Sequence, residues 1–129
     1  MREGHFRLSQ YIGTRRLLGE VRLFVEEVPR GSEDAPDVVF DEIAWDFPEI
    51  DWKSSVLFGV RYALRKAPSS LKPGSPFRVR IAEVGGYMLD TTELTLAYAA
   101  AHALWKALGA APDTTPVIRA ETPTIEFPL

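Results

Sequence analysis

The sequence predicts an α+β fold, a two-layer sandwich in which two helices cover one face of a mixed four-stranded sheet. Three observations predict it. Residues 20–28 alternate apolar and polar with the period of a half-buried strand, Val21, Leu23 and Val25 on one side and Arg22, Phe24 and Glu26 on the other. Two later stretches, Trp52 to Ala67 and Leu94 to Leu108, carry apolar residues at helical spacing. Extended apolar runs between and around them give the order strand, strand, helix, strand, tight turn, helix, strand, and one sheet with both helices on one face buries both stripes.

Taken in order, the first strand is residues 20–28. Pro29 to Pro36 supplies turn and breaker residues, after which Val38-Val39-Phe40 and Ile43-Ala44-Trp45 resume an extended reading. Asp51 caps the first helix, whose stripe is Val56, Val60, Ala63, Leu64 and Ala67. Pro68 and Pro73-Gly74 end it, because proline cannot donate the next ladder hydrogen bond. Phe77, Val79 and Ile81 alternate into Gly85-Gly86, which suits a hairpin-like turn before Tyr87-Met88-Leu89. Asp90-Thr91-Thr92-Glu93 reads as a capping box opening the second helix, and Gly109 stops it. Pro116-Val117-Ile118 and Thr124 to Phe127 read as a final strand pair or one interrupted edge strand.

Composition narrows the classes of function. A chain of 129 residues with 46% hydrophobic and 26% charged residues suits one packed domain, residues 1–129. No apolar run approaches the length of a membrane span and the first residues lack a signal peptide's apolar stretch, so the expected setting is cytoplasmic. Zero cysteines exclude disulfides, thiolate metal sites and thiol nucleophiles. A net charge of −3 argues against a general nucleic-acid binder, so any RNA contact must be local. Positive charge gathers at Arg15-Arg16 and at Arg61, Arg65, Lys66 and Lys72, whereas acids concentrate between Glu20 and Asp51.

Few residues carry a chemical signature. The acids Glu26, Glu27, Glu33, Asp34, Asp37, Asp41 and Glu42 lack metal-loop spacing and read as a solvated face. His102 has no second histidine four residues on, and the carboxylates near Trp45 come with no nucleophile, so neither a metal nor a catalytic site is expected. Trp45, Trp52 and Trp105 read as core or core-edge residues, with Trp105 off the main stripe as a candidate interface residue. Arg15 and Arg16 can neutralise phosphates or face solvent as ordinary loop residues. Leu17 and Leu18 either form a protein-binding knob or fold onto the core.

The segment Tyr87 to Ala107, in which Asp90-Thr91-Thr92-Glu93 opens an alanine-rich helix, resembles the stretch of translation elongation factor G where the pattern DSSE does the same. Glu3-Gly4-His5-Phe6 resembles that family's EGKF, Gly19-Glu20-Val21 its glycine-plus-strand opening, Asp51 to Leu64 its first helix, and Pro116 to Pro128 the segment leading out of its fourth domain. The resemblance runs in order over nearly the whole chain. It implies the fold of the second domain of small-subunit ribosomal protein five, including a left-handed crossover.

It also implies a binding module associated with the ribosome or RNA through two tip loops, whose counterparts here are Gly13 to Gly19 and Gly85 to Met88. The first is bulkier than the family's glycine-rich loop, and the family's RNA-facing histidine falls near Tyr87. No phosphate loop of the form GxxxxGKS/T occurs, so neither nucleotide nor another cofactor is expected. The candidate contact residues are Arg15, Arg16, Leu17, Leu18, Gly85, Gly86 and Tyr87. The alternative is a protein-binding or self-associating assembly domain using Leu17, Leu18 and Trp105, with no role in translation.

Overall fold

A four-stranded mixed sheet with two helices is the frame of the molecule, in a computed structural model that describes residues 1–28, 37–66, 77–87, 89–109, 111–121 and 124–129. The elements are β1 (Arg2–Ile12), β2 (Arg15–Glu27), β3 (Val38–Phe40), α1 (Trp52–Arg65), β4 (Phe77–Gly85), α2 (Glu93–Leu108), β5 (Val117–Arg119) and β6 (Thr124–Glu126). The sheet order is β1-β2-β4-β3, antiparallel except for the parallel pair β3–β4. Among the described residues β5 and β6 pair only with each other.

The fold class is as expected, but the membership of the sheet differs. The sequence reading begins the sheet at Glu20, whereas β2 already starts at Arg15 and pairs with β1 in an eleven-pair hairpin running from Arg2↔Val25 to Ile12↔Arg15. β1 escapes the alternation test because its inward positions are Gly4, Phe6 and Leu8, and a glycine there registers as a turn residue rather than as core. Ile43 to Trp45 is not strand, and the C-terminal pair stands apart from the main sheet. The fourth strand is therefore β1.

Helix α1 starts as expected, with the Asp51 carboxylate accepting from the Ser54 amide at 3.2 Å. Its expected last stripe residue, Ala67, and the breakers Pro68 to Gly74 lie outside the described residues. Helix α2 is capped two residues later than read. Thr92, not Asp90, is the N-cap, and the reciprocal box is closed by Thr95 rather than Glu93. Gly109 ends α2 in the left-handed conformation, with φ of 73°.

α2 is the central element. Leu96, Ala97, Ala99, Ala100, Ala101, Ala103, Leu104 and Trp105 are all buried, because β1 and β2 flank one side and α1 another. The approach is closer than side chains would allow. A Cβ on Gly4 of β1 would stand 1.9 Å from the Ala103 carbonyl oxygen, and one on Gly59 of α1 would stand 2.2 Å from that of Ala97. Alanine and glycine thus let backbone meet backbone on two sides of α2. Higher up, the Trp105 indole donates to the Ala63 carbonyl at 3.1 Å. Gly59 meets Ala97 and Ala63 meets Trp105, so α1 and α2 run in the same direction.

The remaining flank is closed by aromatic residues and the C-terminal segment. Phe127 meets the Phe58 and Tyr62 rings edge-on at 5.3 and 5.2 Å, and the Tyr62 hydroxyl donates to the Pro128 carbonyl. Ile125 joins Leu8 and Leu17 in a second small cluster. His102 stacks on Phe6 at 4.8 Å and meets Trp105 edge-on, with its Nε2 buried and unpartnered among the described residues. Burial first, and the nearby Lys106 ammonium second, hold its imidazole below the ordinary value.

Two outcomes follow from this packing. Gly59→Ala would gain about 1 kcal/mol of helix propensity at an open site. Here the overlap with a backbone oxygen outweighs it, so we expect a net loss of about 1–3 kcal/mol in urea denaturation. The second outcome concerns pH. The unfolded chain protonates His102 near 6.5 while the folded chain resists, so the unfolded state binds more protons there and stability falls as pH drops through that value. His102→Phe should flatten the stability profile between about pH 7 and pH 5 relative to the native chain.

Candidate functional site

The end of the molecule where the β1–β2 hairpin turns is where the structure brings the expected contact residues together. Gly13-Thr14 forms the turn, with Gly13 at φ of 62°, a conformation that a Cβ would strain. The expected seven-residue tip loop from Gly13 to Gly19 is therefore a two-residue turn followed by strand. Strand geometry then sorts the side chains. Alternation sends Leu17 and Gly19 toward α2 and Arg16 to the opposite face, directly across from Tyr11.

Leu17 and Leu18 are each only 3% exposed, which overturns their reading as a partner-binding knob. Leu17 packs with Leu8 and Ile125. Leu18 anchors the second tip segment through its backbone: its amide donates to the Asp90 carbonyl at 2.9 Å, and its carbonyl accepts from the Thr91 hydroxyl at 2.8 Å. Trp105, the other residue assigned to self-association, is buried against α1 and presents nothing outward.

Gly85 and Gly86 do not make a hairpin. β4 ends at Gly85, and the chain enters a compact turn in which the Asp90 and Thr91 amides both donate to the Tyr87 carbonyl, at 3.2 and 3.0 Å. The Thr91 hydroxyl also accepts from the Tyr87 amide at 2.9 Å. A Cβ on Gly86 would lie 2.5 Å from that hydroxyl oxygen, so Gly86 is a clearance position for the Thr91 latch rather than a contact residue. Met88 lies outside the described residues.

Arg16 and Tyr87 remain as members of the expected set on the outer face, and Tyr11 joins them; Arg15 is exposed too, but alternation sets it on the Leu17 side of the hairpin end. Tyr11 and Tyr87 are 69% and 59% exposed. The Arg16 guanidinium carbon lies 6.0 Å from both ring centroids, at the outer reach of a cation–π contact, and its Nε and Nη2 donate to the Ser9 hydroxyl at 3.2 and 3.1 Å. Sequence reasoning missed Tyr11 because it missed β1. The signal was there: the Gly13-Thr14 turn sets Tyr11 opposite Arg16 once both flanks are taken as strand.

Electrostatics separate this cluster from the rest of the outer sheet face. Arg80 pairs with Glu26 at 2.9 Å and with Asp41 at 2.6 Å, hydrogen bonds that hold its guanidinium above the ordinary value, and it caps the Phe24 ring at 4.7 Å. Arg22 lies between Glu3 at 3.9 Å and Glu83 at 3.7 Å, while the His5 imidazole meets Glu20 at 2.5 Å. These contacts take Glu26 and Asp41 out of the expected solvated acidic face. Among the described residues Arg15 and Arg16 have no carboxylate within 4 Å. Among those same residues there is no group of three or more acids and histidines that could hold a metal ion, and no helix long and apolar enough to cross a membrane.

Neither a family model nor a curated protein matches the chain. Among solved structures, the crystal structure of a protein from Thermus thermophilus is similar at 20% identity with a TM-score of 0.62, over 86% of this chain and 16% of that one. At that identity the likeness shows the fold alone. The matched fold is a small part of a far longer polypeptide there.

The latch itself is testable. Thr91→Val keeps the side chain's shape and removes its hydroxyl, leaving the buried Leu18 carbonyl and the Tyr87 amide without that partner. We expect a loss of about 1–3 kcal/mol. Hydrogen exchange at the Tyr87 amide should also quicken by more than the global loss of stability accounts for.

Proposed function

We propose that this chain is a non-enzymatic binding module of the cytoplasm that docks on RNA, ribosomal RNA foremost, through Tyr11, Arg15, Arg16 and Tyr87. The observation that carries the reading is the Arg16 guanidinium, without a carboxylate partner among the described residues and held by Ser9 within reach of two exposed phenol rings. Guanidinium groups neutralise phosphates, and exposed aromatic rings stack on unpaired bases, so a cluster of both kinds meets the two demands of single-stranded or looped RNA. A net charge of −3 calls for a local patch, and Arg16 differs from the paired Arg22 and Arg80 in lacking a carboxylate partner among the described residues while standing beside two exposed aromatic rings. The resemblance to the fourth domain of elongation factor G supports the same end of the molecule and the same class of partner.

Co-sedimentation with ribosomes and their subunits at low and moderate salt, followed by anisotropy titration of a looped ribosomal RNA fragment, tests this reading. Two phosphate contacts give a slope of log affinity against log salt of about −1 to −2. The double variant Arg15→Ala, Arg16→Ala should abolish most of that slope. Tyr11→Ala should weaken binding by about 1–3 kcal/mol with the slope retained. Binding that is insensitive to salt and to both arginines would overturn the proposal.

A further inference from the structure

Leu89 occupies the tip turn for reasons that neither the backbone nor the core supplies. It is the one non-glycine residue with positive φ among the described residues, at 73°, a region where a Cβ crowds the backbone and where glycine or asparagine is at ease. Its side chain is 85% exposed and belongs to neither hydrophobic cluster. Local geometry favours a different residue at this position, and burial gives a leucine nothing in return. Backbone outliers that the surroundings enforce gather at functional positions. The enforcement here is visible: the Asp90 and Thr91 amides grip the Tyr87 carbonyl, and Thr91 and Asp90 grip the backbone of Leu18, so the turn is fixed on both sides of Leu89.

We infer that Leu89 is an apolar wedge that enters a weakly stacked step of the bound RNA, an inference that rests on the RNA reading of the same tip. An exposed aliphatic side chain on a rigid turn can slip between bases at a bulge or loop, where unstacking costs least. Tyr87, two residues away in the same turn, offers a ring to the displaced base, and Arg15 and Arg16 hold the flanking phosphates. The wedge supplies shape and the arginines supply charge, so the two contributions separate experimentally.

The test uses an RNA hairpin with a single-nucleotide bulge and 2-aminopurine beside it, titrated with the native chain and with Leu89→Gly and Leu89→Asn, both suited to the observed φ. The native chain should raise 2-aminopurine fluorescence on binding. Both variants should bind roughly tenfold more weakly, with the salt slope unchanged and the fluorescence rise lost. Leu89→Gly should melt no lower than the native chain, since no packing is removed. Binding by the native chain without a fluorescence rise, or a rise kept by both variants, overturns the wedge and leaves the RNA reading standing. A marked drop in melting temperature for Leu89→Gly makes the residue structural and also overturns the wedge. Failure of the native chain to bind any RNA overturns the docking proposal and the wedge together.

Discussion

The approach of the α2 backbone to its neighbours is the constraint from which the rest of the structure follows. Gly4 and Gly59 remove the side chains that would hold β1 and α1 away from the Ala103 and Ala97 carbonyls. Gly19 does the same at the start of α2, where a Cβ would stand 2.8 Å from the Thr95 carbonyl oxygen. Close packing of this kind tolerates little displacement, because small gaps forfeit dispersion contacts and small additions force strain. The N-terminal turn of α2 is thereby registered against β2, and the residues just before it, Thr91 and Asp90, fall within hydrogen-bond reach of Leu18. A packing rule deep in the core thus sets the position of an exposed turn.

On the outer sheet face a different rule operates. Strands bring Arg22 within reach of Glu3 and Glu83 and Arg80 within reach of Glu26 and Asp41, so each guanidinium is outnumbered by two carboxylates. Exposed pairs of this kind contribute little to stability. Their consequence is one of specificity: they cancel the positive charge of Arg22 and Arg80 at the middle of the face. Arg15 and Arg16 stand beyond the last acid of the hairpin and escape this cancellation.

Periodicity makes the helices legible and part of the sheet illegible. The stripes of α1 and α2 announce themselves because Val56, Val60, Leu104 and the alanines recur at helical spacing and each buries a side chain. β1 conceals itself because one of its core positions is Gly4, which contributes to packing by absence. That omission propagates: without β1, residues 13–19 read as a loop, Leu17 and Leu18 stay undecided between a knob and the core, and nothing singles out Tyr11. The capping box reads two residues early because Asp90 with Glu93 fits the usual acidic pattern, whereas the actual box pairs Thr92 with a second threonine, Thr95, and Thr91 is taken up by the latch to Leu18. The Gly85-Gly86 pair looks like a hairpin for a similar reason, since clearance for a neighbouring side chain and freedom of φ both select glycine.

The parallel course of the helices has an effect that no tally of lysines and arginines would reveal. Ile50, just before α1, and Thr91 to Thr95, at the start of α2, line one shallow cavity with Leu17, so both helices begin at the end of the molecule that carries the tip. Each peptide dipole points along its helix, and the sum leaves roughly half a positive elementary charge at each beginning. Both beginnings are already met by acids of the chain itself, Asp51 as the cap of α1 and Glu93 in the first turn of α2, and each is stabilised by the dipole it offsets. The pole that carries the tip therefore owes its acids to helix starts rather than to an acidic binding face, and a polyanion reaching it would be held by side chains such as Arg16 rather than steered by the backbone.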